Sequence, residues 1–342
     1  MEIYSKTGLL FWLEERIVSI IEPVKQARLS SLVVPVSDTG FRVIAPLQTN
    51  VKVIEAVLLF ATNHQNFVAI TGASGCGKTV LLNAASDYLK ANSAASVEML
   101  SAEQFLKLEN RIGLEKTLIL DDCQHVLGKP KQYLRLRLAL DRRVRGNRPT
   151  LVAFSSTTRD RRMNNLLPVP RKWCFETISE PDQFGRIALV HHLAKKERLN
   201  LSPLFTKIIG TKLLGNGRVV AGALQRLKLE KSEWTDSHQI LRGCGLLDPY
   251  FADNSNWDLP HRILKTTSDL LTSESKVNAL DLACYLMIHV AGLCEASVAS
   301  YLETDPGRCY QQAARVAKMV KNDATIASLV HQCAESVLSR LA

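Results

Sequence analysis

One stretch constrains this chain more than any other: Gly72-Ala73-Ser74-Gly75-Cys76-Gly77-Lys78-Thr79. The apolar run Phe67-Val68-Ala69-Ile70 leads into it and Val80-Leu81-Leu82-Asn83-Ala84-Ala85 leaves it, so a strand, a glycine loop and a helix start follow one another. That is the setting of a phosphate-binding loop. Glycines let successive backbone N–H groups curl around a polyphosphate, and the helix N-terminus adds the positive end of its dipole. On this reading Gly72, Gly75, Cys76, Gly77, Lys78, Thr79 and Val80 hold a nucleotide. Lys78 reaches the β/γ-phosphates and the Thr79 hydroxyl ligates Mg²⁺. The alternative is an ordinary glycine-rich β–α turn.

Further apolar runs at Val97–Leu100, Thr117–Leu120 and Leu151–Phe154 alternate with helical patterns such as Lys78–Ala91 and Gln132–Arg145. Alternation of this kind predicts a parallel sheet with helices on both faces, its ligand at the carboxyl ends of the strands. The second run ends in Asp121-Asp122, about 40 residues after the glycine loop. Asp121 is placed to hold Mg²⁺ through water and Asp122 to polarise an attacking water, or else Asp122 caps a helix. The third run ends in Ser155-Ser156-Thr157-Thr158. These hydroxyls, Ser156 foremost, either contact a γ-phosphate or serve the turn.

The 342 residues suffice for two or three domains, and 46% apolar residues suffice for substantial cores. The eight cysteines include no C-x-x-C pair, so they read as buried thiols in a reducing compartment. The N-terminal stretch carries Glu14 and Glu15 and no small-residue cleavage site, which argues against a secretory signal. No apolar run reaches membrane-spanning length. A cytoplasmic protein with no membrane partner is expected, nucleoid-associated if it binds DNA. The net charge of +10 is concentrated in residues 128–172, which hold thirteen Lys and Arg against Asp141 and Asp160. A helix bearing Arg135, Arg137, Arg142, Arg143 and Arg145 lines a single-strand channel, faces solvent, or pairs with acids of an adjacent subunit.

Leu10, Leu13, Ile17, Ile20, Ile21 and Val24 recur at helical spacing near the start. They form either a helix packed on its own core or one that docks on a partner. Leu32-Val33-Val34 and Phe41-Arg42-Val43-Ile44 read as short strands or extended connectors. From Glu180 onward helices take over, and Gly215-Asn216-Gly217-Arg218 opens one of them. An arginine in a first helical turn works against the helix dipole, so Arg218 has a task elsewhere. The paired His191 and His192 sit on a helical segment and read as solvated. Toward the C-terminus, helices are expected over 260–271, 277–292, 294–302, 308–320 and 324–341, with Asp305-Pro306-Gly307 as a turn.

Asp121-Asp122-Cys123-Gln124 after four apolar residues resembles the Walker B segment of DnaA-type replication initiators within the AAA+ ATPases. Trp173–Pro181 resembles the entry to that family's lid, and Asn216-Gly217-Arg218 with Gly222–Leu227 resembles its sensor 2 helix. The resemblance implies an α/β P-loop NTPase (AAA+) core with a helical lid, followed by an all-α helix-turn-helix domain. It divides the chain into an N-terminal helix and linker (1–45), nucleotide-binding core (46–179), lid (180–253) and C-terminal domain (254–342). Arg218 then senses ATP from the lid. The family's arginine finger falls on Pro170, so the adjacent Arg171 is the candidate substitute.

In the C-terminal domain the resemblance leaves Arg308, Tyr310, Gln311, Gln312 and Arg315 as readers of bases or phosphates. That region holds eight basic against nine acidic residues, whereas phosphate contacts dominate DNA affinity. The implied function is an ATP-controlled, DNA-binding initiator-like switch with slow ATP hydrolysis that self-assembles when ATP binds. The alternative is an ATP-dependent adaptor, helicase loader or remodeller of a replication or recombination protein. Under it duplex reading is weak, and Arg142, Arg143 and Arg145 serve single strands.

Overall fold

The computed structural model describes residues 40–92, 96–113, 115–156, 161–230, 233–251, 254–255, 257–271 and 275–342. The expected N-terminal helix, the run 32–34, Thr157, Thr158 and the loop 272–274 lie outside the described residues. Two compact units divide the chain. The first comprises residues up to Gly185 together with Asn216–Arg218, and the second comprises Arg186–Gly215 and Val219–Ala342.

In the first unit five parallel strands stand in the order β2-β3-β4-β1-β5: β1 Phe67–Gly72, β2 Val97–Ser101, β3 Thr117–Asp121, β4 Thr150–Ser155 and β5 Cys174–Ile178. Strand β4 lies between β1 and β3, with Val68 opposite Leu151 and Leu118 opposite Thr150. Alternate side chains of a strand point to opposite faces, so these continuous apolar runs need a cover on each side. On one face Val68, Ile70, Ile119, Leu151 and Ala153 meet helices α1 Val51–Ala61 and α2 Lys78–Asn92. On the other, Phe67, Ala69, Leu118, Leu120, Val152 and Phe154 meet α3 Ala102–Leu108, the short α4 Gln124–Leu127, α5 Pro130–Arg145 and α6 Arg161–Leu166. The α/β architecture expected from alternation is the architecture found.

Two local expectations change. Phe41–Ile44 is not extended: Gly40–Val43 forms a 3-10 turn that seats Phe41 in the core beside Tyr88. Residues 174–178, which carried no strand expectation, form edge strand β5 beside β1. An edge strand is covered on fewer sides, and its Phe175-Glu176-Thr177 sequence lacks the apolar run of the inner strands.

The second unit is helical: α7 Gln183–Glu197, α8 Pro203–Lys212, α9 Gly217–Leu229, α10 Ser237–Phe251, α11 Leu259–Leu270, α12 Ala279–Tyr285, α13 Glu295–Tyr301, α14 Pro306–Asn322 and α15 Ala324–Leu341. A single apolar cluster runs from Val190 to Leu341 and includes Phe205, Trp234, Phe251, Leu282, Val316 and Val337. Segments 186–253 and 254–342 therefore share one core. The helix expected over 277–292 ends in a π-turn at Leu286–Val290. Pro306 and Gly307 are not a free turn. They form the first turn of α14, where Asp305 caps the helix by accepting from the Arg308 N–H at 3.0 Å, and proline suits this position because its missing N–H would be unpaired there.

Candidate nucleotide site

The glycine loop joins β1 to α2. Gly75 and Gly77 have φ of +80° and +103°, a region that side-chain-bearing residues rarely enter. A Cβ at Gly72 would stand 2.6 Å from Cys76 Sγ and 3.0 Å from the Ile178 carbonyl, so the loop closes only around a hydrogen. Lys78 is buried, and its ammonium donates to the carbonyls of Gly72 (2.9 Å) and Ala73 (2.8 Å), with Cys76 Sγ at 3.8 Å. The strand order brings the carboxyl ends of β1 and β3 to either side of β4. There the Thr79 hydroxyl donates to Asp121 Oδ2 at 2.7 Å. Val80 is exposed on the first turn of α2.

Asp121 is buried, and its second oxygen accepts the Asp122 N–H at 2.8 Å. Asp122 takes a left-handed φ of +54°. Aspartate enters this region more readily than most residues, since its short side chain bonds locally. Helix α4 begins at Gln124 with no side-chain cap, so Asp122 does not fill the capping role. Its Oδ1 instead accepts from Gln124 Nε2 at 2.9 Å, and Gln124 Oε1 accepts the Ser155 N–H at the end of β4 at 2.8 Å. One amide therefore ties the carboxylate to the neighbouring strand. Sequence reasoning gave Gln124 no role, although an amide two residues beyond the carboxylate can donate and accept at once. The Ser156 N–H donates to Gly72 O at 3.1 Å and its carbonyl accepts from Thr71 Oγ1 at 2.8 Å, which fixes the end of β4 to β1. Buried beneath Asp121, Cys123 has its thiol pushed above the usual range, first by burial and then by the carboxylate charge.

Asn216–Arg218 group with this first unit. Asn216 Oδ1 accepts the Arg218 N–H at 3.0 Å and its Nδ2 donates to Ser74 O at 2.7 Å, so one side chain caps a helix start and touches the glycine loop. A Cβ at Gly75 would stand 2.5 Å from Asn216 Oδ1. Asparagine before a helix is a readable capping signal; its reach to the loop is not. Arg218 and Arg171 are exposed and form no ion pair among the described residues. Arg171 lies in the 3-10 turn Pro170–Lys172, preceded by Val169 at a φ of +49° that is strained for a β-branched residue.

The basic helix requires a correction. Arg143, expected among nucleic-acid contacts, is 2% exposed and spends its donors on Thr150 Oγ1 (2.9 Å), Lys116 O (2.6 Å) and Pro149 O (3.0 Å). Burial lowers its pKa to about 10. It holds the loop before β4 to α5 and cannot meet a phosphate. Arg142 and Arg145 are exposed, near Glu109 (3.8 Å) and Asp141 (2.7 Å) respectively.

In the second unit Arg308, Gln311 and Arg315 line one cleft of about 490 Å³, and Tyr310 is exposed beside His289. Arg315 pairs with Asp281 at 3.0 Å. Gln312, expected as a reader, also lines this cleft but is mostly buried, and its Oε1 accepts from Cys284 Sγ at 3.5 Å. No group of three metal-ligating side chains occurs among the described residues, His191 and His192 included. Nor is any described helix long and apolar enough to cross a membrane.

No protein-family model matches the chain, and no curated protein sequence does. Solved structures do. Domain III of the replication initiation protein DnaA from Thermotoga maritima is similar at a TM-score of 0.53 and 18% identity, over 62% of this chain and 96% of that one. The chain is DnaA-like in fold. AMPPCP-bound DnaA from Aquifex aeolicus is similar at 0.48 and 18%, over 86% and 95% of the two chains. Replication initiator DnaA bound to AMPPCP and single-stranded DNA is similar at 0.46 and 17%, over 90% and 97%. Domain III, at a TM-score above 0.5, bears out the expected DnaA-like fold over the 62% of this chain that it matches.

Proposed function

We propose that this protein is an ATP-controlled switch acting on DNA, built on the DnaA-like fold. The observation that carries this reading is the joining of Lys78, Thr79 and Asp121 at the ends of β1 and β3, with Asp122 held to β4 through Gln124. The residues fit MgATP. Two left-handed glycines shape a backbone cradle, Lys78 supplies a buried cation, and the Thr79 and Asp121 oxygens are the hard ligands Mg²⁺ prefers. Bound Mg²⁺ would offset phosphate charge as hydrolysis proceeds.

Lys78 would hold the β/γ-phosphates, Asp122 would orient and deprotonate water, and Ser156 would lie at the γ-phosphate side. Arg218 would report ATP from the lid, and Arg171 would reach a neighbouring copy. We take residues 180–253 as that lid and 254–342 as a helix-turn-helix module in which Arg308, Tyr310, Gln311 and Arg315 face duplex DNA. Titration with a fluorescent ATP analogue, followed by DNA-binding and light-scattering measurements with ATP, ADP and no nucleotide, tests the reading. Equal DNA affinity and oligomer size in all three states would overturn it.

A second reading is an ATP-dependent adaptor or loader for a replication or recombination protein. It is favoured by the burial of Gln312, the Arg315–Asp281 pair and the near-neutral charge of residues 254–342. Tight, sequence-dependent duplex binding by the full chain would exclude it.

A further inference from the structure

Helix α5 turns Leu136, Ala139, Leu140, Arg143 and Val144 into the core, which fixes its opposite side as the outward one. The centre of that outward side carries two leucines beside the Arg145–Asp141 ion pair. Leu134 is 55% exposed and Leu138 49% exposed, one turn apart. At about 100° per residue, Leu134, Leu138 and Arg145 fall within about 40° of one another. Lys131, Leu134, Leu138, Asp141 and Arg145 follow the alternating three- and four-residue spacing of a two-helix seam. The flanks are basic: Lys131, Arg135, Arg137, Arg142 and Arg145 stand against Asp141. Arg135 and Arg142 lean on Glu109 at 3.3 and 3.8 Å, whereas Lys131 and Arg137 form no ion pair among the described residues.

We propose that this face of α5 docks an acidic amphipathic helix of a partner protein, whose apolar residues cover Leu134 and Leu138 while its carboxylates meet Lys131 and Arg137. Charge complementarity selects the acid, and the leucine pair selects a helix. A nucleic acid would use the cations but leave the leucines wet, because single strands are held by aromatic stacking and duplexes by phosphate contacts. The outward face offers no aromatic ring at its centre; Tyr133 stands at its margin, half-buried, with its hydroxyl directed to Arg162 O. Apolar anchors one turn apart with matched charged flanks are how helices recognise helices.

The probe is a fluorescein-labelled helical peptide of about 21 residues with leucine at seam positions and glutamate at the flanks, long enough to populate a helix. Anisotropy is read against the full chain. Saturable binding should weaken by about tenfold or more in the Leu134→Ser/Leu138→Ser variant and in Lys131→Glu/Arg137→Glu. A peptide with serine in place of its leucines should not bind. Lys78→Ala should bind the peptide as the parent chain does, which separates this surface from the nucleotide reading. The substituted positions on α5 are all exposed, and thermal melts of every variant, that of the buried Lys78 included, check that folding is intact.

No saturable binding, or binding indifferent to Leu134→Ser/Leu138→Ser, would overturn the proposal. So would peptide displacement by oligothymidylate of about 20 nucleotides whose own affinity depends on the arginines and not on the leucines. Self-association that disappears in Leu134→Ser/Leu138→Ser would assign the face to a second copy and equally overturn it.

Discussion

The Thr79 hydroxyl and the Asp121 carboxylate meet at 2.7 Å although 42 residues separate them in the chain. Two strands bring them together, and β4 between those strands sets the spacing. If this pair holds Mg²⁺, Thr79→Ala and Asp121→Asn should each make nucleotide affinity nearly independent of Mg²⁺, and Lys78→Ala should lower it by about tenfold or more with or without the ion. Titration of a fluorescent ATP analogue with Mg²⁺ or with EDTA reads both. An Asp121→Asn variant whose affinity still rises with Mg²⁺ would remove the carboxylate from the metal site.

If Asp122 polarises an attacking water, Gln124 should separate binding from turnover. Its amide donates to Asp122 Oδ1 at 2.9 Å and accepts the Ser155 N–H at 2.8 Å, and among the described residues it forms no hydrogen bond to the glycine loop or Lys78. Gln124→Leu should leave the dissociation constant for ATP within about twofold and lower the hydrolysis rate by about tenfold. Asp122→Asn should keep the fold, since asparagine accepts the φ of +54°, and lose hydrolysis more completely. Parallel phosphate-release and binding assays distinguish the two.

Arg143 is predicted to matter for stability alone. Arg143→Met removes a buried cation and leaves Thr150 Oγ1 and the Lys116 carbonyl without their donor, while the Pro149 carbonyl keeps the Leu118 N–H at 3.1 Å. Unpaired buried acceptors of this kind cost about 1–3 kcal/mol, so the urea midpoint should fall while DNA affinity at permissive urea is unchanged. A DNA-binding defect without loss of stability would restore Arg143 to the nucleic-acid face.

Much of this was readable before any coordinates. Inner strands such as Thr117–Leu120 and Leu151–Phe154 are continuous apolar runs because both their faces are covered, and that pattern survives in sequence. The glycine loop and Asp121 carry their signal in residue type and spacing. Edge strand β5 does not, because only Ile178 of its five residues is fully buried and its composition follows. Arg143 looks like its exposed neighbours in sequence. Only its angular position on α5, opposite Leu134, marks it as buried, and the density of arginines on both sides masks that phase. Gln124 and Asn216 escaped because their partners, Ser155 and Ser74, are distant in the chain.

His238 gives the fold a pH dependence. The residue is exposed at the surface, its ring 5.6 Å from that of His331. Partial desolvation of the ring, then the neighbouring imidazole, hold its pKa below the usual histidine value, with Asp236 opposing, so the effect on stability is small. The unfolded chain therefore binds a proton at a higher pH than the native one. Stability should be full above the ordinary histidine pKa of about 6.5 and fall as pH drops through and below it. His238→Gln should flatten that fall in urea titrations between about pH 5 and 8. An unchanged slope would place the pH dependence on another group.

The two arginines of the Arg308–Arg315 cleft should differ in their effect on DNA binding. Arg308 has no side-chain ion pair among the described residues, whereas the Arg315 guanidinium is held by buried Asp281 at 3.0 Å. A free guanidinium can meet a phosphate without breaking a bond; a paired one must first release its carboxylate. Arg308→Ala should therefore weaken duplex binding and reduce the slope of log affinity against log salt by about 1. Arg315→Ala should affect the slope less but lower stability, because it strands the Asp281 charge. Anisotropy with a labelled duplex between about 50 and 200 mM salt, paired with urea melts, separates the outcomes. If Arg308→Ala leaves both affinity and slope unchanged, the duplex is not gripped through this cleft, and the adaptor reading gains because these C-terminal helices would then serve protein contacts alone.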